Sequence, residues 1–113
     1  MSLEIPESDW RQFKKVHPIL LERFCARTLD ELRAIAVSNE GTAHDRYLRL
    51  YALTKKRDKE LANGFDDFRR STAVMQLLIL RHMGLLTDEE LSGFSAQTQQ
   101  QIRGIEAFGR GES

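Results

Sequence analysis

The chain has 113 residues, 17 basic and 17 acidic side chains, and a formal net charge of zero. Hydrophobic residues make up 41% and aromatic residues 8%, which suits one globular domain over residues 1–113 with a modest core and excludes a disordered polymer. Neutrality means that no global field draws the chain to nucleic acid or anionic lipid, and it removes one barrier to self-association.

Helical spacing of apolar residues runs through the whole chain, with no period-two stretch and no hairpin turn between apolar runs. The fold class expected is all-α, a small bundle of about five helices. The first helical region runs from about Asp9 to Val37, with Ser8 placed as its N-cap. Phe13, Val16, Leu20 and Phe24 form one apolar stripe. Leu21, Cys25, Leu29, Leu32 and Ile35 continue it with a slow drift around the axis. Pro18 interrupts the hydrogen-bond ladder and is expected to kink or restart the helix. Thr28 and Glu31 also fit a capping box, so the region reads as one kinked helix or two.

Ser38 to Gly41 is a stop signal. Thr42 caps a second long helix, from about Ala43 to Ala62, with Asp45 in its first turn. Asn63-Gly64 is read as its end. A third, central apolar helix is expected over 66–83, opened by Asp66 and closed by Gly84, with Leu85 placed for a Schellman contact. Phe65 and Phe68 are expected to staple its start. Thr87 to Glu90 is a capping box for a short helix near Asp88 to Gly93, and Ser95 caps a last one from about Ala96 to Ala107. Residues 1–7 and 109–113 are expected to fray.

The third helix is apolar almost all round: Ala73, Val74, Met75, Leu77, Leu78, Ile79, Leu80 and Met83 cover nearly every direction. Such a helix must be covered on several sides. The expectation is a helix shared between the core and a homodimer interface. On the second helix Tyr47, Leu50, Tyr51, Thr54, Asp58 and Leu61 share a face by steps of three and four. If that face is buried, Asp58 needs a charged or hydrogen-bonding partner, expected from a nearby arginine or tyrosine. Arg46, Arg69 and Arg70 are placed as the rim of an interaction face.

Catalytic and metal signatures do not occur. His17, His44 and His82 lack ligand spacing, Cys25 is the single cysteine, and no phosphate loop or nucleophile elbow is present. No catalytic residue, cofactor or metal is therefore assigned. The single cysteine excludes an intramolecular disulfide. The N-terminus lacks the basic start and apolar core of a secretory leader, and the apolar run Ala73 to Leu86 is too short and too interrupted for a span of about 20 residues. The expected location is cytoplasmic, with no membrane partner.

The function expected is a non-enzymatic protein–protein interaction module, homodimeric, that can take a further protein partner. Its candidate residues are Tyr47, Tyr51, Asp58, Arg46, Arg69 and Arg70. One alternative is a nucleic-acid-binding regulator using Lys55, Lys56, Arg57 and Lys59, whose affinity would fall steeply with salt. The other is a small-ligand-binding or catalytic helical protein with a Tyr47/Tyr51/Asp58 pocket, joined by His44.

Overall fold

A computed structural model describes residues 4–111. Within them lie α1 (Glu7–Ala36), α2 (Ala43–Phe65), a 3-10 turn (Arg70–Thr72), α3 (Ala73–His82), α4 (Asp88–Leu91) and α5 (Ala96–Gly109), with no strand. The all-α expectation is met.

The first helical region is one helix of 30 residues, continuous through Pro18. Pro18 is exposed, so the carbonyls its ring leaves without an amide partner are on the side facing water. The N-cap is Pro6, not Ser8. Ser8 lies inside the first turn, and Thr28 and Glu31 lie mid-helix. Of the segments expected to fray, 1–3 and 112–113 lie outside the described residues. Residues 4–7 are tied down: Ile5 is buried, its carbonyl accepts from Arg70 Nε at 2.9 Å, and Glu7 accepts from Arg70 Nη1 at 2.8 Å.

Thr42 and Asp45 form a reciprocal capping box at the start of α2. The far end departs from expectation. The helix continues through Gly64 to Phe65, because Gly64 is a contact residue. A Cβ there would meet Met83 Sδ at 3.1 Å and Leu80 Cδ2 at 3.4 Å, so its absence lets α2 and α3 approach closely.

The third helix is correspondingly shorter than 66–83. Asp66 caps the end of α2, and Arg69 is extended. Thr72 Oγ1 donates to Asp67 O at 2.7 Å, which holds a 3-10 turn ahead of Ala73. This non-helical stretch delivers Phe68 to His17, where the rings stack at 3.8 Å. Trp10, Phe13 and Phe65 complete that aromatic cluster. Gly84 closes α3 at φ +74. Gly84 N donates to Arg81 O and Leu85 N to Leu80 O, both at 3.0 Å, which is the Schellman pattern expected.

Ala73, Val74, Gln76, Leu77 and Leu80 of α3 are buried. Around them lie Phe13, Leu20 and Phe24 of α1, Phe65 of α2, Leu85, Leu91 and Ile102. The third helix thus spends most of its apolar surface inside the monomer. Met75, 60% exposed, is its main outward apolar residue.

The core occupies only part of the molecule. Residues 4–24 and 64–111 form a head around α3, while the second half of α1 and most of α2 project as an antiparallel two-helix arm. The shape follows from this. The molecule measures 54 × 31 × 24 Å and its radius of gyration is 17.1 Å, against about 13 Å for a compact chain of this length.

Candidate functional site

The arm carries the candidate surface. Helical register gives α2 two distinct sides there. Arg46, Leu50, Leu53 and Arg57 face toward α1: Leu50 and Leu53 are half-buried, and the two arginines bond acceptors at Ser38 and Glu31. Tyr47, Tyr51, Thr54 and Asp58 lie one residue on, rotated by about 100°. They form a flank continuous with an open groove lined by Cys25, Thr28 and Leu29 of α1 and by Thr54, Asp58 and Leu61 of α2. The groove holds about 230 Å³, below the roughly 300–1,000 Å³ of clefts that enclose small ligands. Its walls are almost wholly apolar. Tyr47 and Tyr51 stand 65% and 63% exposed at its distal end, and Leu29 is 64% exposed.

The opposite side of the arm is charged and internally matched. Arg57 Nη2 meets Glu31 at 2.8 Å while Nη1 meets Glu60 at 2.9 Å. The hydrogen bond from Arg57 holds the Glu31 carboxyl below its usual range, and the same bond raises the Arg57 guanidinium. Arg27 and His82 border this trough. Both central carboxylates are held by the one guanidinium of Arg57.

The six residues singled out by sequence are therefore separated. Tyr47, Tyr51 and Asp58 share the arm face, as their spacing implies. Asp58 is exposed, and neither an arginine nor a tyrosine of the chain pairs with it: Arg57 is taken by Glu31 and Glu60. The expected Asp58–Arg or Asp58–Tyr pair is corrected on that ground. Arg46 turns back to donate to Ser38 O. Arg69 pairs with Asp67 at 2.7 Å, and Arg70 with Glu7. Arg70 sits at the beginning of α1 and Arg46 beyond its end, about 45 Å apart along a helix of this length. The three arginines cannot rim one surface. Of the basic run on α2, Lys55, Lys56 and Lys59 are exposed, but Arg57 faces inward.

Sequence reasoning did not identify the α1 side of the groove as a site. Its signal was present in the drifting stripe of Leu21, Cys25, Leu29 and Leu32, which widens the apolar arc until one neighbouring helix cannot cover it. Arg23 and Arg27 serve the head rather than the thiol between them. Arg23 meets Glu90 at 2.8 Å and also donates to Leu85 O, and Arg27 donates to Gly84 O at 3.0 Å. Asp9 was likewise unassigned. It is buried and accepts from Ser95 N at 2.7 Å and from Ser95 Oγ and Thr98 Oγ1 at 2.6 Å.

No protein-family model, curated protein or solved structure matches this chain. Among the described residues, no helix is long and apolar enough to cross a membrane, and no group of three His, Cys, Asp or Glu side chains is placed to hold a metal ion.

Proposed function

We propose that the protein is a non-enzymatic helical interaction module that works as a homodimer, with the arm face as its contact surface. One observation carries this reading. From Cys25 to Asn63 no side chain is buried, although Leu29, Leu32, Ile35, Tyr47, Leu50, Tyr51, Leu53 and Leu61 recur at helical spacing. Helices in proteins owe their stability mainly to packing of an amphipathic face, and two helices alone cover each other on one side only. A second arm laid against the first completes a four-helix bundle.

The surface area supports the same reading. The chain exposes 7621 Å², whereas a compact monomer of 13.1 kDa exposes about 6,400 Å². The excess of about 1,200 Å² on one chain is larger than the roughly 800 Å² that each partner buries in a specific interface. Of the two surfaces expected from sequence, the third helix and the Tyr47–Tyr51 face, this reading keeps the second, because the third helix buries most of its apolar surface within the monomer. The half-buried thiol of Cys25 lies on this face, and a reducing, cytoplasmic setting is the one in which it stays unpaired.

The test is native mass spectrometry with light scattering at micromolar concentration. The expected result is twice the monomer mass, and a monomer mass for Tyr51→Glu with its helical circular dichroism intact. A wild-type monomer up to about 100 µM, weaker than specific dimers of this interface size, would overturn the reading.

A further inference from the structure

We propose that the two copies pair with α2 antiparallel to its mate, each Tyr47 donating its hydroxyl hydrogen to Asp58 of the other copy. This rests on the dimer reading above and specifies its register.

The argument begins with Asp58. It is the one charged group on the Tyr47–Tyr51–Thr54–Asp58 flank, it lines the apolar groove, and the arginine beside it is committed to Glu31 and Glu60. Covering this flank with another apolar surface would strand a carboxylate, so the covering surface must bring a donor. The donors at the centre of the same flank are the phenol groups of Tyr47 and Tyr51, with the exposed Lys55 at its edge. Within one chain Tyr47 and Asp58 stand eleven residues, about 16 Å, apart along the helix, so they cannot meet.

A twofold axis resolves this, because an isologous contact places residue i on j and j on i. An axis in the contact plane, crossing α2 at right angles between Ala52 and Leu53, sets Tyr47 against Asp58 and Tyr51 against Thr54. Both carboxylates then receive a phenol donor. The two Tyr51 residues fall about 4.5 Å apart along the helix direction, within range of an offset ring stack. Every helix in the resulting bundle is antiparallel to its neighbours, and the two heads lie at opposite ends. The alternative axis, parallel to the helices, would lay α2 over α1 of the mate. In that arrangement the groove lining facing Asp58 would be Cys25, Thr28 and Leu29, the two phenols would face α1 instead of Asp58, and Arg33 at the edge of that face would be the group left to meet it.

The dimensions are adequate. About 12 residues of α1 and 19 of α2 give a face roughly 23 Å in mean length and 20 Å wide. That is about 460 Å² per copy in projection, or about 900 Å² in all before side-chain relief is added, close to the lower bound for a specific interface.

The test is cysteine cross-linking in a Cys25→Ser background. The double variant Tyr47→Cys/Asp58→Cys should be joined into a covalent dimer by a short bismaleimide reagent, which spans the separation of facing positions on packed helices of about 8–10 Å, while each single variant, whose thiols lie about 16 Å apart across the axis, should not. In the otherwise unaltered protein, Tyr47→Phe and Asp58→Asn should each weaken dimerisation about a hundredfold, because the twofold axis removes two bonds at once, and the double variant should weaken it no further. A dimeric wild type with no cross-link and additive losses overturns this register and leaves the dimer standing. A monomeric wild type overturns both.

Discussion

Replacing Asp9 by alanine tests how the head is closed. Asp9 lies in the first turn of α1, where any acid gains from the helix dipole, about 0.3–1 kcal/mol when exposed. Here the carboxylate is instead buried against the start of α5, accepting from the Ser95 amide and from the Ser95 and Thr98 hydroxyls. Hydrogen bonds to a charged group are worth about 1.5–3 kcal/mol each, are not additive, and leave buried donors stranded when the acceptor is removed. The expected loss for Asp9→Ala is about 3 kcal/mol. For a domain of this size that corresponds to a fall of about 12 °C in Tm. Urea unfolding at one fixed protein concentration is the assay, since dimerisation would make stability concentration-dependent. Thr98→Val in a double-mutant cycle should show coupling of about 1 kcal/mol or more with Asp9. A loss below about 1 kcal/mol with no coupling would mean that Asp9 acts only as a dipole partner, and the clamp would be refuted.

His17 makes stability pH-dependent. Burial lowers its pKa from 6.5, and its Nε2 has no hydrogen-bond partner among the described residues. Below about pH 6.5 the unfolded chain therefore takes up a proton that the folded chain refuses, and stability falls as pH drops from there toward the folded value. His17→Phe should flatten the urea midpoint between pH 5 and 7, and a variant that keeps the wild-type slope would disprove this origin. The carboxyls of Glu31 and Glu90, held low chiefly by Arg57 and Arg23, lose their contribution in the same direction but at lower pH. Gly84→Ala should cost about 1–2 kcal/mol through the left-handed backbone alone, because a Cβ there meets only Arg27 Nη1 at 3.8 Å. Thermal melting of that variant checks it, and an unchanged Tm would remove the Schellman turn as the stop of α3.

Local signals in the chain were legible where the physics is local. Thr42 with Asp45, Thr87 with Glu90, Ser95, and Gly84 with Leu85 all end or begin helices as their chemistry requires. Three misreadings have tertiary causes. Gly64 resembles a helix stop, but α3 lies against it and uses its missing side chain. Asp66 resembles an N-cap, yet residues 67–69 stay outside a helix, with Arg69 extended, because Phe68 is drawn onto His17. Pro18 resembles a break, but an exposed proline leaves its orphaned carbonyls to water. The candidate face was half legible. Tyr47, Tyr51 and Asp58 fall together from α2 register alone, whereas the pairing of Cys25 and Leu29 with them depends on how α1 and α2 lie side by side. No local rule could link Asp9 to Thr98 across 89 positions, or show that Arg46 and Arg70 attach to opposite ends of α1.

The division between head and arm implies a gradient of hydrogen-exchange protection along single helices. In α1, amides up to about Phe24 are anchored by buried side chains, and those beyond depend on the thin contact with α2. Regions with few buried apolar contacts open at low free energy without global unfolding. The same helix should thus exchange slowly at its start and quickly at its end, and the loop from Ser38 to Gly41 should be the first point of proteolytic nicking. A partner seated on the arm would slow exchange there by mass action and leave the head unchanged, which makes the second half of α1 a reporter of occupancy.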